Sequence, residues 1–294
     1  MSETSTCCGS SLAAGEALAG TATQGTSWLL VEVRGAWGRD AVADSGLPSA
    51  VRDAIDPFPG KVLLVRRPDR RRGVTVIQAT VDEGGGTAVR QEFESLDELP
   101  GADLAKGDPA VGPIVLVCAH GRRDACCARL GLPLFDALAS HVAPERLWQS
   151  SHLGGHRFAP NVLVLPQGVQ LGRIPVERAP EVGELLANDR IPLDLYRGRT
   201  IYAPPVQAAE LAVRSFTGYD GLADLRLVSY EGDLVTFKTP AGELVVRVAE
   251  RSGPARPVSC GADPEPTAGW VASLLLPPHE RGREALAGAG KGRS

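Results

Sequence analysis

No stretch of this 294-residue chain stays apolar for the roughly 18–20 residues that a membrane helix needs. The opening MSETSTCCGSS lacks the basic and then apolar layout of a secretory signal, so a cytoplasmic protein is expected. Positive charge is not in excess: 31 Lys and Arg face 35 Asp and Glu, a formal net charge of −4. Nothing there draws the chain to nucleic acid or to an anionic membrane. Cysteine is sparse and clustered, with six residues at 7, 8, 118, 126, 127 and 260. That is no disulfide framework of a secreted protein. In a reducing compartment such a cluster points to metal or redox chemistry. The chain also lacks an internal repeat, and it lacks paired carboxylates in a setting that suggests glycoside hydrolysis. What is present, 43% hydrophobic and 22% charged residues, suits a soluble globular protein of one large domain or two ordinary ones.

Residues 1–27, rich in Ser, Thr, Gly and Ala, read as a partly ordered lead-in. WLLVEVR (28–34), KVLLVRR (61–67) and VTVIQATV (74–81) are Val- and Ile-rich runs bounded by turn residues and predict strands, with a helix at LPSAVRDAI between the first two. They make 28–105 an N-terminal α/β subdomain expected to pack on the core, and the acidic, Pro- and Gly-containing stretch 94–112 its boundary. PIVLVC (113–118) is a continuous apolar strand ending on Cys118. GLPLFDALASHV (131–142) has helical spacing, with Pro133 where a first turn tolerates it. RLWQSSHLGGH runs from a strand into a glycine loop, and NVLVLPQGVQLGRI (161–174) reads as a hairpin. Helices follow at PEVGELLAND and PVQAAELAVRSF, closing a core assigned to 106–220. A three-stranded meander is expected over 225–250, within a C-terminal unit of 221–276, and a disordered tail over 277–294. The order from Cys118 is strand, helix, strand, hairpin, helix. It predicts a mixed α/β (α+β) sheet with a thioredoxin-like core.

Two loops carry the chemistry. CAHGRRDACC (118–127) starts where a buried strand ends, and Cys127 lies far enough on for the loop to curl back. In HLGGH (152–156) two glycines relax the backbone so that both imidazoles can turn to one centre. Cys118, Cys127, His152 and His156 then form a donor set suited to zinc or to a 2Fe–2S cluster. The Cys-x8-Cys spacing is wide for a zinc knuckle, and the second loop lacks the cysteine that a Rieske centre requires. Cys260 reads as a small buried hydrophobe, and Cys7 and Cys8 as incidental.

VCAHGRRDACC followed by SSHLGGHRFAPNVLVLPQG resembles the sucrase/ferredoxin-like family of thioredoxin-like ferredoxins. ALAGTA (17–22) and VEVRGAWGRDAV (31–42) resemble bacterial members. The resemblance implies a 2Fe–2S cluster on Cys118, Cys127, His152 and His156, with neighbouring Cys126 as a spare thiol. It also implies one-electron transfer, optionally coupled to a proton, with a separate redox partner protein: an electron carrier more than a catalyst. His120, Arg123 and Asp124 are the groups expected to surround such a cluster. The rival readings are a thiol oxidoreductase or redox sensor using Cys118 with Cys126 or Cys127, and a zinc-stabilised binding protein.

Overall fold

β-Branched and leucine-rich runs become strands here, and their period-two alternation decides which face each side chain joins. In the computed structural model, residues 6–68 and 72–275 are described. The elements are α1 (Cys7–Ala13), β1 (Ser27–Glu32), α2 (Ser49–Ile55), β2 (Lys61–Arg66), β3 (Val74–Thr80), β4 (Thr87–Phe93) and β5 (Asp108–Pro109). Then come β6 (Ile114–Cys118), α3 (Ala125–Leu138), β7 (Leu147–Ser150), β8 (Val162–Leu165), β9 (Val169–Leu171), α4 (Ala179–Ala187), β10 (Tyr196–Arg199) and α5 (Pro204–Thr217). The last are β11 (Arg226–Glu231), β12 (Leu234–Thr239), β13 (Gly242–Pro257) and β14 (Pro264–Leu274).

A ten-stranded mixed sheet runs in the order β10-β9-β8-β6-β7-β2-β1-β3-β4-β5, and β11 to β14 form a separate antiparallel sheet in chain order. Within the large sheet, β7-β6-β8-β9 is a thioredoxin-like arrangement: β6 and β7 are parallel, and β8 and β9 return antiparallel. The strands before residue 105 join this sheet through an antiparallel pairing of β2 with β7.

On β6, Val115 and Val117 pack with Leu134, Leu138 and Val182 of the flanking helices. Ile114, Leu116 and Cys118 face the opposite layer, with Trp28, Leu30, Trp148 and Leu163. The same alternation on β1 sends Leu29 and Val31 to α2. Burying each such side chain contributes about 1.5–3 kcal/mol, so the central strands are fixed in register by their own composition. The second sheet packs Val235, Phe237 and Val246 against Val206 and Val213 of α5. Within α5 the buried pair Glu210–Arg214, at 2.9 Å, also takes the Tyr196 hydroxyl, which donates to Glu210 at 2.6 Å.

Several elements differ from the sequence reading. α3 begins at residue 125, because Asp124 caps it by accepting the Cys126 N–H at 2.9 Å. Pro133 therefore sits inside the helix, at the expense of one backbone bond to Arg129. β4, with the sequence TAVRQEF, alternates too weakly to stand out, yet pairs along its whole length with β3. The C-terminal sheet has four strands, since β13 runs on through the Gly- and Pro-containing RSGPARP and pairs with β14. The lead-in carries the capped helix α1. The tail 277–294, expected to be disordered, lies outside the described residues.

Candidate metal centre

Strand register brings the two loops together. β6 and β7 are parallel, with Cys118 opposite Ser150, so the chain leaves β7 beside the end of β6 and His152 follows two residues later. The cap at Asp124 turns the chain into α3 and places Cys126 and Cys127 in the helix's first turn. Peptide dipoles there favour thiolates.

The ligand atoms of Cys118, Cys127 and His152 all lie within 4.8 Å of one another, with both cysteines buried. Cys127 Sγ is 4.0 Å from His152 Nδ1. The Cys118 sulfur is held well below the usual thiol range because it accepts from Cys127 and from His152, although burial opposes this. Cys127 is pushed up by donating to Cys118 and by its own burial.

His156, the fourth expected donor, stands beside this set. Its ring centroid is 5.1 Å from that of His152, and its Nδ1 lies 3.3 Å from Asp124 Oδ2 and 3.7 Å from Cys7 Sγ. Burial lowers its pKa, against the pull of Asp124. A carboxylate on one ring nitrogen is the usual way a protein orients a histidine that binds metal through the other.

The remaining predicted groups take separate places. Asp124 is buried and accepts backbone N–H bonds from Cys126 and Cys260, both at 2.9 Å. His120 Nε2 bonds the Gly38 carbonyl at 2.6 Å and its ring packs edge-on to Trp37, while burial lowers its pKa. It fastens the first loop to the N-terminal part of the chain. Arg123 is exposed and lines a cleft of about 730 Å³ with Arg39, Asp53, His120 and His152, which opens the His152 side of the centre to solvent.

The glycine loop is held in shape from outside. Gly154 and Gly155 have φ of 83° and 66°, and a Cβ on Gly155 would meet Arg197 Nη2 at 2.3 Å. Buried Arg197 donates to the Gly154 carbonyl at 3.1 Å and to Asn161 Oδ1 at 2.9 Å, and Asn161 Nδ2 donates to the Gly155 carbonyl at 3.0 Å. Gln170 and Thr23 both donate to the Leu153 carbonyl at 2.8 Å. Burial pushes the Arg197 guanidinium down to about 9, which leaves it charged at neutral pH. Sequence reading missed Arg197 and Gln170, because nothing local to either residue refers to a loop so far away.

It also separated cysteines that the fold unites. Cys7 and Cys8 of α1, Cys126 of α3 and Cys260 between β13 and β14 meet around Asp124. Cys260 is half-buried beside other thiols and a carboxylate, not a hydrophobe in the core. The only signals were the doublet at 7–8 and the spare thiol at 126.

The family description "Sucrase/ferredoxin-like" matches residues 18–198. The chain is 34% identical over 106 residues to "Altered inheritance of mitochondria protein 32" of Clavispora lusitaniae, covering 33% of this chain and 39% of that protein. It is 35% identical over 123 residues to the protein of that name in Meyerozyma guilliermondii, covering 37% of this chain and 43% of the relative. The one in Debaryomyces hansenii is 32% identical over 122 residues, covering 38% and 42%. The chain thus matches about two fifths of the length of these relatives. No solved structure matches it. The expected 2Fe–2S electron carrier is corrected here: these relatives are named for mitochondrial inheritance, and none of their names speaks of a ferredoxin, a cluster or electron transfer. Among the described residues no helix is long and apolar enough to cross a membrane.

Proposed function

Because the chain belongs to the sucrase/ferredoxin-like family, and its two motif loops converge at the end of one strand, we propose that it is a metal-binding protein. Its centre is Cys118, Cys127 and His152, closed by His156. The observation that carries this reading is the compactness of the donor set: two sulfurs and a ring nitrogen within 4.8 Å of one another. Thiolates and imidazoles in that number suit borderline and soft metals such as zinc or iron, and exclude calcium and magnesium, which take oxygen ligands.

Each residue has a separable task. Cys118 supplies the readiest thiolate, and Cys127 gives up its proton when a cation displaces it. His152 stands at the cleft, where solvent and small molecules reach the centre. Asp124 holds His156 through Nδ1, so that ring binds through Nε2. Arg197, Asn161 and Gln170 keep the glycine loop from relaxing away. Six cysteines free of disulfides suit a reducing compartment, so a cytoplasmic location is part of the proposal.

The test is elemental analysis of the full chain purified without oxygen and without added metal, together with acid-labile sulfide. Metal should be present in the wild type and lost from the centre in Cys118→Ser, Cys127→Ser and His152→Ala. The ratio of iron to zinc identifies which metal is bound. A wild-type chain that stays metal-free through reconstitution with iron and sulfide and with zinc would refute the proposal.

A further inference from the structure

Three cysteines outside that centre form a nearly equilateral triangle. Cys7 Sγ is 3.6 Å from Cys126 Sγ, Cys126 Sγ is 3.4 Å from Cys260 Sγ, and Cys260 Sγ is 3.5 Å from Cys7 Sγ. The Asp124 carboxylate lies beside it, 3.7 Å from Cys7 Sγ, and its ligand atom and the three sulfurs all fall within 4.8 Å of one another. We propose that Cys7, Cys126 and Cys260, with Asp124 at the fourth corner, form a second metal site for a single thiophilic cation of the zinc class.

The geometry suits such an ion. Four ligands at a zinc–sulfur distance of about 2.3 Å around a tetrahedron put the thiolates about 3.8 Å apart, close to the observed triangle. Packing of thiols as small hydrophobes does not account for the fourth member. The buried Asp124 carboxylate is bonded by the backbone N–H groups of Cys126 and Cys260 and faced by His156, and these contacts hold it as an anion beside the three sulfurs, where a cation would complete the set. Those two bonds come from the chain segments that carry two of the thiols, so the carboxylate and its neighbours are aimed as a unit. Cys126 lies in the first turn of α3, so the cap at Asp124 fixes the position of its sulfur.

A Cys8–Cys126 disulfide is the competing chemistry, since those sulfurs are 2.9 Å apart. It would use one corner of the triangle and leave the close approach of Cys7 and Cys260 to each other and to Asp124 unused. A cation uses all four. It would tie α1, α3 and the β13–β14 loop together at one point, and His156, in contact with both Asp124 and Cys7, joins this point to the first centre.

The experiment is an anaerobic cobalt(II) titration of the reduced full-length chain, followed by sulfur-to-cobalt charge-transfer absorption. A triple variant, Cys118→Ser, Cys127→Ser and His152→Ala, removes the first centre. It should still bind one cobalt with the intensity of three thiolates, and adding Cys260→Ser should weaken that binding more than about tenfold, since even loss of an outer partner costs that much. In the otherwise intact chain, Cys260→Ser and Cys7→Ser should each lower the zinc content by one ion per chain while Cys118 and Cys127 keep theirs. The proposal is overturned if the triple variant, folded by circular dichroism, binds no cobalt although its remaining thiols react freely. It is also overturned if Cys7→Ser and Cys260→Ser leave metal content and absorption unchanged, or if anaerobic peptide mapping finds Cys8 and Cys126 joined. None of these results depends on what the first centre holds.

Discussion

Replacing Gly131 by Ala separates two opposite expectations. Gly131 lies within α3, four residues after Cys127, and is buried against the end of β6. Helix propensity alone predicts a gain of about 1 kcal/mol from Gly→Ala. The structure predicts a loss. A Cβ at this position would lie 2.0 Å from the Cys118 carbonyl oxygen, where contacts below 3.0 Å are essentially never made. The obstacle is backbone in a central strand, so no rotamer change relieves it, and α3 must retreat by about 1 Å or more. Overpacking of this kind costs about 1–3 kcal/mol. With an obstacle this rigid the upper end applies, and after the propensity gain the net loss is about 2 kcal/mol, or roughly 4–8 °C in Tm for a chain of this size. The retreat also carries Cys127 away from Cys118, so metal affinity at the first centre should fall with stability. Urea unfolding and metal titration of the same preparations read both effects. Gly183→Ala in α4 is the comparison: its nearest neighbour would be the His141 Cβ at 2.8 Å, a side-chain atom outside the sheet, and its cost should be smaller. If Gly131→Ala unfolds at the same or higher urea than wild type, with full metal content, the close approach of α3 to β6 is wrong.

Glu83→Ala should cost about 1–3 kcal/mol and loosen the second sheet first. It removes the acceptor of the Tyr202 hydroxyl at 2.6 Å and of the Leu227 N–H at 3.0 Å, and hydrogen exchange in β11 would report the loss. Alkaline pH should destabilise the fold through Tyr196, whose pKa is raised well above 10 by burial and then by the Glu210 charge. A group raised in the folded state contributes stability that is complete below its unfolded value, near 10, and is lost as pH rises toward the folded one. Unfolding free energy should therefore fall by up to about 1.4 kcal/mol per pH unit from that group above pH 10, and Tyr196→Phe should reduce the slope. An unchanged slope in that variant would remove Tyr196 from the account. Arg197→Met should release the glycine loop, raising protease cleavage near Gly154 and weakening metal at His152, whereas a loop that stays protected would show that Asn161 and Gln170 suffice.

How much of this was legible depended on the range of the interactions. The strand ending on Cys118, the glycine loop after β7 and the β8–β9 hairpin announce themselves by composition, and parallel pairing of β6 with β7 then makes their meeting a matter of register. The start of α3 was displaced by six residues because a one-residue cap, Asp124, outweighed the apolar spacing that pointed to 131. β4 stayed hidden because Arg90, Gln91 and Glu92 interrupt its alternation, and its existence rests on β3 beside it. The thiols at 7 and 260 had no local mark of a shared place. Their meeting is decided by where α1 docks and where the β13–β14 hairpin ends.

That meeting has a consequence for biosynthesis. Cys7 and Cys260 are 253 positions apart yet 3.5 Å from each other in the folded chain. A ribosome adds about 5–20 residues per second, so the thiols of α1 leave it roughly 13–50 s before the hairpin that covers them exists. During that interval Cys7 and Cys8 are exposed nucleophiles on a nascent chain, open to oxidants, to stray metal and to neighbouring polypeptides. Cells that make this protein under oxidative stress should therefore accumulate mixed disulfides at the first two cysteines on unfinished chains, and spare the same residues in finished ones.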